Sequence, residues 1–159
     1  VVLQFDAHAD LRDGYLGEKY SHASAMRRVL DHAHVELVSV GIRAISKEEA
    51  EFASANRDRV HIFWGKDQAV WDIEEIVKPL AGRPVLDGAV MPATGTPTPG
   101  GLSYLLALAI LRRAAEVGSI VGADVVELAP IPGMHVYDYT AAALTYKIMT
   151  YALSGTQRR

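Results

Sequence analysis

Two carboxylates and an imidazole alternate near the start of the sequence: Asp6, His8 and Asp10, separated by Ala7 and Ala9. Carboxylate oxygens and an imidazole nitrogen suit a divalent ion such as Mn²⁺ or Zn²⁺. In a fully extended strand, Asp6 and Asp10 would lie roughly 13 Å apart, too far for one metal centre. We therefore expect the strand to end near Asp6 and the chain to curl back so that the three ligands converge. Taken alone, the same pattern fits a polar strand end about as well.

The residues before Asp6 favour the metal site. The stretch Val1–Phe5, VVLQF, is mostly apolar and partly β-branched, which is typical of a strand buried on both faces of a parallel sheet. A buried strand rarely ends in three such groups without a use for them. The carboxyl ends of strands are also where open α/β folds usually bind ligands.

Strand and helix patterns alternate along the rest of the chain. The predicted helices are Glu18–Ala33, Ser46–Ala55, Val70–Leu80, Leu102–Val117 and Asp138–Leu153, and the further strands are Val35–Val40, Val60–Trp64 and Ala123–Leu128. The stretch Gly82–Gly101 is rich in proline, glycine and threonine and is predicted to be a loop. This alternation predicts one α/β domain over residues 1–159, with a parallel sheet and helices on both faces.

The segment FDAHADLRDGY, followed by YSHAS, resembles the ureohydrolases, the arginase and agmatinase family, and most closely the agmatinase-like branch. The segments VGIRAISKEEAEF, MPATGTPTPGGL, GADVVELAPIPG and DYTAAALTYKI continue the resemblance in order over nearly the whole chain. The resemblance implies an arginase-like three-layer α/β/α fold and a homo-oligomer. It also implies hydrolysis of a guanidino group to urea and an amine, with two Mn²⁺ ions activating the attacking water. Agmatine is the favoured substrate, and guanidinobutyrate or another guanidino acid is the competitor.

His22, within YSHAS, matches the position where this family places a proton-shuttling histidine. An imidazole is suited to that role because it titrates near neutral pH. An isolated histidine here would be read as a helix-terminal residue that interacts with the helix dipole. His32, His34, His61 and His135 lack such a context and are interpreted as surface or packing residues.

Two residues are candidates for contact with the substrate. Glu127 follows the apolar pair Val125 and Val126, and a carboxylate can hold a planar guanidinium through two parallel hydrogen bonds. In the family that this sequence resembles, the glutamate of this motif binds the substrate guanidinium. Thr96 offers a hydroxyl from a loop of small residues, although a turn-stabilising threonine is an equally good interpretation.

The sequence departs from the family pattern in two places. Family members are about twice as long, and nothing here matches their upstream glycine-rich motif, which ends in a metal-ligating histidine. They also carry a D-x-D motif before an L-D-P, and residues 86–88, LDG, align with that L-D-P. The two aspartate positions then fall on Gly82 and Pro84, so we expect a strand's worth of residues to be lost between Ala81 and Leu86. Such a chain would bind at most one divalent ion, weakly. The alternative is a truncated, catalytically silent homologue that acts only as a weak metal-binding or interaction protein.

The amino-acid composition argues against several classes of function. A formal net charge of -3 argues against a nucleic-acid or anionic-membrane partner. The chain has no cysteine, so neither disulfides nor thiolate chemistry are expected. No uncharged apolar run approaches the ~18 residues of a membrane span, and no signal peptide is recognised. A cytoplasmic protein is the expectation.

Overall fold

Five parallel strands form a single sheet in the order β3-β2-β1-β4-β5 in a computed structural model that describes residues 1–89 and 94–156. The strands are β1 Val2–Phe5, β2 Leu37–Ile42, β3 Val60–Trp64, β4 Pro84–Ala89 and β5 Ser119–Val125, and the helices are α1 Ala25–Val29, α2 Lys47–Ala55, α3 Ile73–Val77, α4 Tyr104–Val117 and α5 Val136–Thr156. Short 3-10 turns cover His22–Ser24, Gly65–Val70 and Lys78–Leu80.

Helices cover both faces of the sheet, and the alternation of side chains along β1 shows how. Leu3 and Phe5 pack into a core with residues of α3, α4 and α5. Val2 belongs to a second core on the opposite face, together with Leu37 and with residues of α1 and α2. The predicted α/β/α three-layer fold with a parallel sheet is therefore confirmed.

The predicted helix Glu18–Ala33 is wrong over most of its length. Glu18 pairs with Tyr15 through two backbone hydrogen bonds of 2.9 Å across a tight turn. Both central residues of that turn, Leu16 and Gly17, have positive φ angles of 51° and 84°. A helix cannot begin inside this turn, so only the 3-10 turn and the short α1 form.

The predicted loop Gly82–Gly101 contains β4, which lies between β1 and β5. Pro84 lacks an N–H and Gly88 weakens a strand locally, so the segment reads as a loop on sequence pattern alone. Pairing on both sides overrides this local preference. The sheet therefore has a strand where one was expected to be lost, although its sequence PVLDGA still contains no D-x-D pair.

Two other predicted elements have different boundaries. The helix Val70–Leu80 is interrupted: Asp72 caps Glu74 N at 2.9 Å, and α3 gives way to a 3-10 turn that contains a proline. The last strand ends at Val125 rather than Leu128, because Glu127 adopts a left-handed φ of 63° that ends the extended conformation. No helix in the described part of the chain is both long and apolar enough to cross a membrane.

Candidate functional site

A cavity of about 590 Å³ opens at the carboxyl ends of the central strands. The loop after β1 contributes Asp6 and His8 to its lining, and the loop after β5 contributes Glu127. The glycine- and proline-rich residues 94–103 form a further wall, and α5 contributes Thr140. Because the strands are parallel, acids that follow β1 and β5 meet at one edge of the sheet, as the sequence predicts.

Asp6 is held by hydrogen bonds from its own segment. Its Oδ1 accepts from the backbone N–H of His8 at 2.8 Å, and its Oδ2 accepts from Gln4 Nε2 at 3.2 Å. Gln4 is buried and its Oε1 accepts from Ser39 Oγ at 2.8 Å. The carboxylate is thus oriented before any ligand arrives, which is the condition for a precise binding site.

His8 lies between the β1 loop and the glycine-rich wall. Its Nδ1 lies 3.6 Å from Asp6 Oδ1, and its Nε2 lies 3.4 Å from Thr98 Oγ1. Its backbone forms an isolated bridge to Ala44, just after β2. The ring is therefore positioned from both sides, and each of its nitrogens has a polar neighbour.

Asp10 occupies an unusual backbone and electrostatic position. Its φ of 53° is left-handed, and its carbonyl accepts from the backbone N–H of Arg27 at 3.0 Å. Burial, and then the negative charges of Asp6, Glu127 and Glu49, raise the pKa of Asp10 to about 8. Strongly perturbed carboxylates of this kind cluster at functional sites.

Glu49 supports the loop that carries Asp10. It is only 5% exposed, and its Oε1 accepts from the backbone N–H of Leu11 at 3.0 Å. Its Oε2 accepts from Ser46 N at 2.8 Å, which completes the capping box that the sequence predicts at the start of α2. Arg12 Nε lies 3.8 Å from the same oxygen. One buried carboxylate therefore ties the helix cap to the candidate site.

Arg43 fastens the glycine-rich wall over the cavity. Its guanidinium donates to Thr98 O at 2.6 Å and to Pro99 O at 2.7 Å. It also donates to Gly41 O at 3.0 Å. Burial lowers the pKa of Arg43, and the nearby charge of Asp6 acts in the opposite direction. No lysine or arginine forms an ion pair with Asp6, Asp10 or Glu127 within residues 1–89 and 94–156.

The other predicted site residues occupy different positions. Glu127 lines the cavity mouth and acts electrostatically on Asp10, while Thr96 lines the wall from an exposed position. His22 is exposed, and its ring contacts Tyr15 at a centroid distance of 5.7 Å. Neither His22 nor Asp10 is part of the cavity lining in the described portion of the chain.

The metal-ligand prediction stays a prediction. Among residues 1–89 and 94–156, no group of three or more histidine, aspartate or glutamate side chains is arranged to hold a metal ion. Asp6 and His8 are adjacent and line the cavity, whereas Asp10 is not among the lining residues, although its carboxylate interacts electrostatically with those of Asp6 and Glu127. Gly82 and Pro84, where the second aspartate pair of the family is expected from the sequence, offer no ligand side chain, and that correspondence also stays a prediction.

The arginase-family model matches residues 1–153. The chain belongs to the arginase family. Among curated relatives, an N(1)-aminopropylagmatine ureohydrolase of Synechocystis is 35% identical over 161 residues, which cover 94% of this chain and 51% of that protein. An agmatinase of Bacillus subtilis is 39% identical over 167 residues, covering 97% of this chain and 54% of that protein. This arginase-family chain therefore spans about half the length of the curated relatives that it matches.

Solved structures agree on the fold. The agmatine ureohydrolase of Thermoplasma volcanium superposes with a TM-score of 0.79 at 26% identity, covering 99% of this chain and 56% of that chain. A proclavaminate amidino hydrolase from Streptomyces clavuligerus gives a TM-score of 0.82 at 24% identity, covering 95% of this chain and 55% of that chain. The latter likeness shows the arginase-type fold alone.

The aligned spans also contain residues that this chain lacks. The alignment with the Bacillus subtilis agmatinase runs over 167 residues, more than the 159 of this chain. The relative therefore has additional residues inside the shared region. The expected loss of residues between Ala81 and Leu86 stays a prediction, because the alignment length does not say where the additional residues lie.

Sequence reasoning missed the residues that hold the site in place. The contacts of Gln4 with Asp6 and of Arg43 with Thr98 left no recognisable pattern in the sequence. The hydrogen bond between Glu49 and Leu11 joins residues 38 positions apart. A pattern search has no signal for such long-range contacts.

Proposed function

We propose that this chain carries an agmatinase-like hydrolytic site, which cleaves a guanidino compound to urea and an amine, with agmatine as the favoured substrate. The observation that supports it is the meeting of Asp6, His8 and Glu127 at one cavity, in a chain of the arginase family. The names of the curated relatives point the same way, since they include agmatinase and N(1)-aminopropylagmatine ureohydrolase.

The donor types at this edge of the sheet suit one divalent cation, although the described residues do not gather three of them around one point. Asp6, His8 and Asp10 offer oxygen and nitrogen donors of the type that Mn²⁺ accepts, and the acids there have no arginine or lysine partner among the described residues. A second ion would need further carboxylates, and positions 82 and 84 provide none. When bound, Mn²⁺ supplies a Lewis acid that makes water a nucleophile near neutral pH.

Each side chain of the site has a role in the proposed reaction. Glu127 binds the planar guanidinium of the substrate at the cavity mouth through paired, charge-assisted hydrogen bonds. Asp6, oriented by Gln4, and His8 would hold the cation, with Asp10 as the further donor of the same loop. His22 carries the proton to the departing amine, and Thr96 offers a hydroxyl on the opposite wall.

Metal counting and urea release test this function. The purified chain, supplied with Mn²⁺ and agmatine, should bind at most one ion per chain, weakly, and should release urea slowly. Two tight sites by calorimetric titration, together with rapid urea release, would show that other residues supply the ligands. Metal binding without any urea would favour the second candidate, a catalytically silent homologue, which the missing aspartate pair supports.

Replacing Glu127 tests its proposed role. Glu127→Gln keeps the shape but removes the charge, which contributes ~1.5–3 kcal/mol to a hydrogen bond of this kind. KM for agmatine should rise roughly ten- to hundredfold, with metal content unchanged. Asp124→Asn is the matched control, since it neutralises a carboxylate three positions away on β5. An unchanged KM or a loss of metal in Glu127→Gln would refute this role.

A homo-oligomeric state and a cytoplasmic location are proposals that rest on the family resemblance. Light scattering of the purified chain over a range of concentrations tests the first of them. A mass equal to that of one chain at every concentration would contradict it.

A further inference from the structure

The loop between Asp10 and α1, residues 11–24, is held by several hydrogen bonds and forms a frame around Tyr15 and His22. Arg28 donates to Asp13 O at 2.8 Å, to Asp13 Oδ1 at 2.8 Å and to Lys19 O at 3.2 Å, so one guanidinium joins both ends of the segment 13–19. Arg12 N donates to Ala23 O at 3.2 Å, next to His22. The tight turn Tyr15–Glu18 lies inside this frame.

Tyr15 lies between a cation and an imidazole. The guanidinium of Arg12 lies 5.1 Å from the centre of the Tyr15 ring, within the range of a cation–π interaction. The Tyr15 ring also contacts the ring of His22, and the two ring planes meet at an angle of 72° in an edge-to-face arrangement. Arg12 in turn lies 3.8 Å from the buried Glu49. A line of contacts thus runs from the core to His22.

The orientation of the His22 ring depends on this contact. The backbone of His22 is fixed by the 3-10 turn, where Ser24 N donates to Ser21 O at 3.0 Å. In the described part of the chain, however, no side chain or backbone group makes a hydrogen bond to the ring nitrogens of His22. Tyr15 is the group found against the ring. Without it, an exposed histidine would sample several side-chain rotamers.

We propose that Tyr15 is a positioning residue for His22, and that its ring holds the imidazole in the orientation used for proton transfer. This inference rests on the proposed hydrolytic function, in which His22 moves the proton. Tyr15 itself touches neither substrate nor metal in this assignment. A misplacement of the imidazole by about 1 Å is enough to lower kcat by roughly a hundredfold.

Nuclear magnetic resonance of the His22 ring tests the contact independently of any activity. The chain has six histidines, so His22→Ala serves to assign the His22 signals. The native chain and Tyr15→Phe should show cross-relaxation between ring 15 and ring 22. Tyr15→Leu should lose it, and its His22 signals should move towards those of free histidine. Tyr20→Leu is the matched control, because Tyr20 is 82% exposed on the same loop. Its His22 signals should stay unchanged.

Steady-state kinetics with Mn²⁺ and agmatine test the consequence. Tyr15→Leu should lower kcat about ten- to hundredfold with KM unchanged, because Glu127 is untouched, and Tyr15→Phe should restore kcat. If Tyr15→Leu does not fold, as judged by circular dichroism, Arg12→Gln removes the cation from the other side of the ring and should give a smaller change of the same kind.

Two results would overturn the proposal. The first is an unchanged set of His22 signals in Tyr15→Leu, and the second is unchanged kcat despite shifted signals. If the native chain releases no urea, the proposed function fails and the catalytic part of this inference fails with it. The resonance comparison would then decide the ring contact alone, so the two failures remain distinguishable.

Discussion

Charged side chains are arranged differently at the two ends of the parallel sheet. At the amino end, Arg83 lies 2.7 Å from Glu36, and His61 lies 3.9 Å from the same carboxylate. The hydrogen bond from Arg83 is the main cause that lowers the pKa of Glu36 below its ordinary value. At the carboxyl end, burial and neighbouring acids raise the pKa of Asp10 to about 8. One end pairs opposite charges, while the other gathers like charges.

The hydrogen bonds of Arg43, the arginine at the carboxyl end, add to this contrast. Arg43 lines the same cavity as Asp6, yet its donors go to the carbonyls of Thr98, Pro99 and Gly41. The acids there are left for something else to neutralise. Concentrated like charge lowers stability and is retained where a site requires it, which supports a binding role for this end of the sheet.

The largest expected effect is a pH dependence at the carboxyl end. The folded-state pKa of Asp10, about 8, is above its ordinary value of 3.8, so the folded chain holds the proton more tightly than the unfolded chain. Stability should therefore fall as the pH rises from about 4 to about 8 and then level off. The loss is on the order of 6 kcal/mol at most, at about 1.36 kcal/mol per pKa unit. Urea denaturation at several pH values measures it.

Two substitutions and the addition of Mn²⁺ test whether Asp10 causes the fall in stability with pH. Asp10→Asn should remove most of the fall between these pH values, and Asp124→Asn should leave it intact. Mn²⁺ should reduce the fall in the native chain, because a nearby cation favours the ionised carboxylate. A native chain that gains stability as the pH rises from 4 to 8 would contradict this account of Asp10.

The next largest effect concerns the buried carboxylate of Glu49. Glu49→Ala removes an acceptor of two backbone N–H groups and leaves Arg12 without its partner, which should cost ~3–5 kcal/mol. Glu49→Gln should cost less, because its amide oxygen still accepts one of these bonds. It should also lower the pKa of Asp10 by removing a nearby charge. Chemical denaturation checks the stability, and equal losses in the two variants would contradict the assigned contacts.

A smaller effect is expected from Arg43. Arg43→Met removes the hydrogen bonds to Thr98 and Pro99, each worth ~1.5–3 kcal/mol when the donor is charged. Because Leu102 would still hold the end of the wall against the hydrophobic core, the result should be faster proteolysis within 94–103 rather than global unfolding. Limited proteolysis followed by mass spectrometry measures it, with Arg112→Met at an exposed position of α4 as the control. Equal cleavage rates would show that the wall is held by other contacts.

The smallest effect is expected at the amino end. The pair Glu36–Arg83 is partly exposed, and such pairs contribute about 0.2–1 kcal/mol. Since the pKa of Glu36 is lowered, this contribution is present above its ordinary pKa and is lost as the pH falls through the folded-state value. Its sign is thus opposite to that of Asp10. Arg83→Met should remove this acid-side loss, which acid titration of the fold would detect; a larger effect than that of Glu49→Ala would overturn the comparison.

The sequence predicted the layers of the fold and the acid-bearing end of β1 because those features are local. An apolar run followed by acids identifies Val2–Phe5 and its carboxyl end without knowledge of any neighbour. β4 could not be found in the same way, since its local residues favour a loop and its pairing with β1 and β5 decides its conformation.

The same limit applies to the candidate site. Asp6, His8 and Glu127 could be named from the sequence, and the structure brings them to one cavity. The absence of Asp10 from the described cavity lining could not be foreseen, because the path of the chain there includes a left-handed φ at Asp10 and a hydrogen bond from Arg27 N to its carbonyl. Ligand types are readable from a sequence, whereas their convergence depends on backbone conformation.

Gly41, near the end of β2, has no side chain that could take part in catalysis, yet its replacement is expected to lower activity. Its φ is +94°, and a Cβ there would lie 2.5 Å from Leu102 Cδ1 and 3.3 Å from Asp6 O. Another residue would therefore be strained at this φ and would require the Leu102 side chain to move and the Asp6 carbonyl to give slightly. In a deep mutational scan selected on turnover, position 41 would tolerate no replacement, as if it were a catalytic residue. A parallel scan selected on abundance would separate it from Glu127, whose replacements should survive.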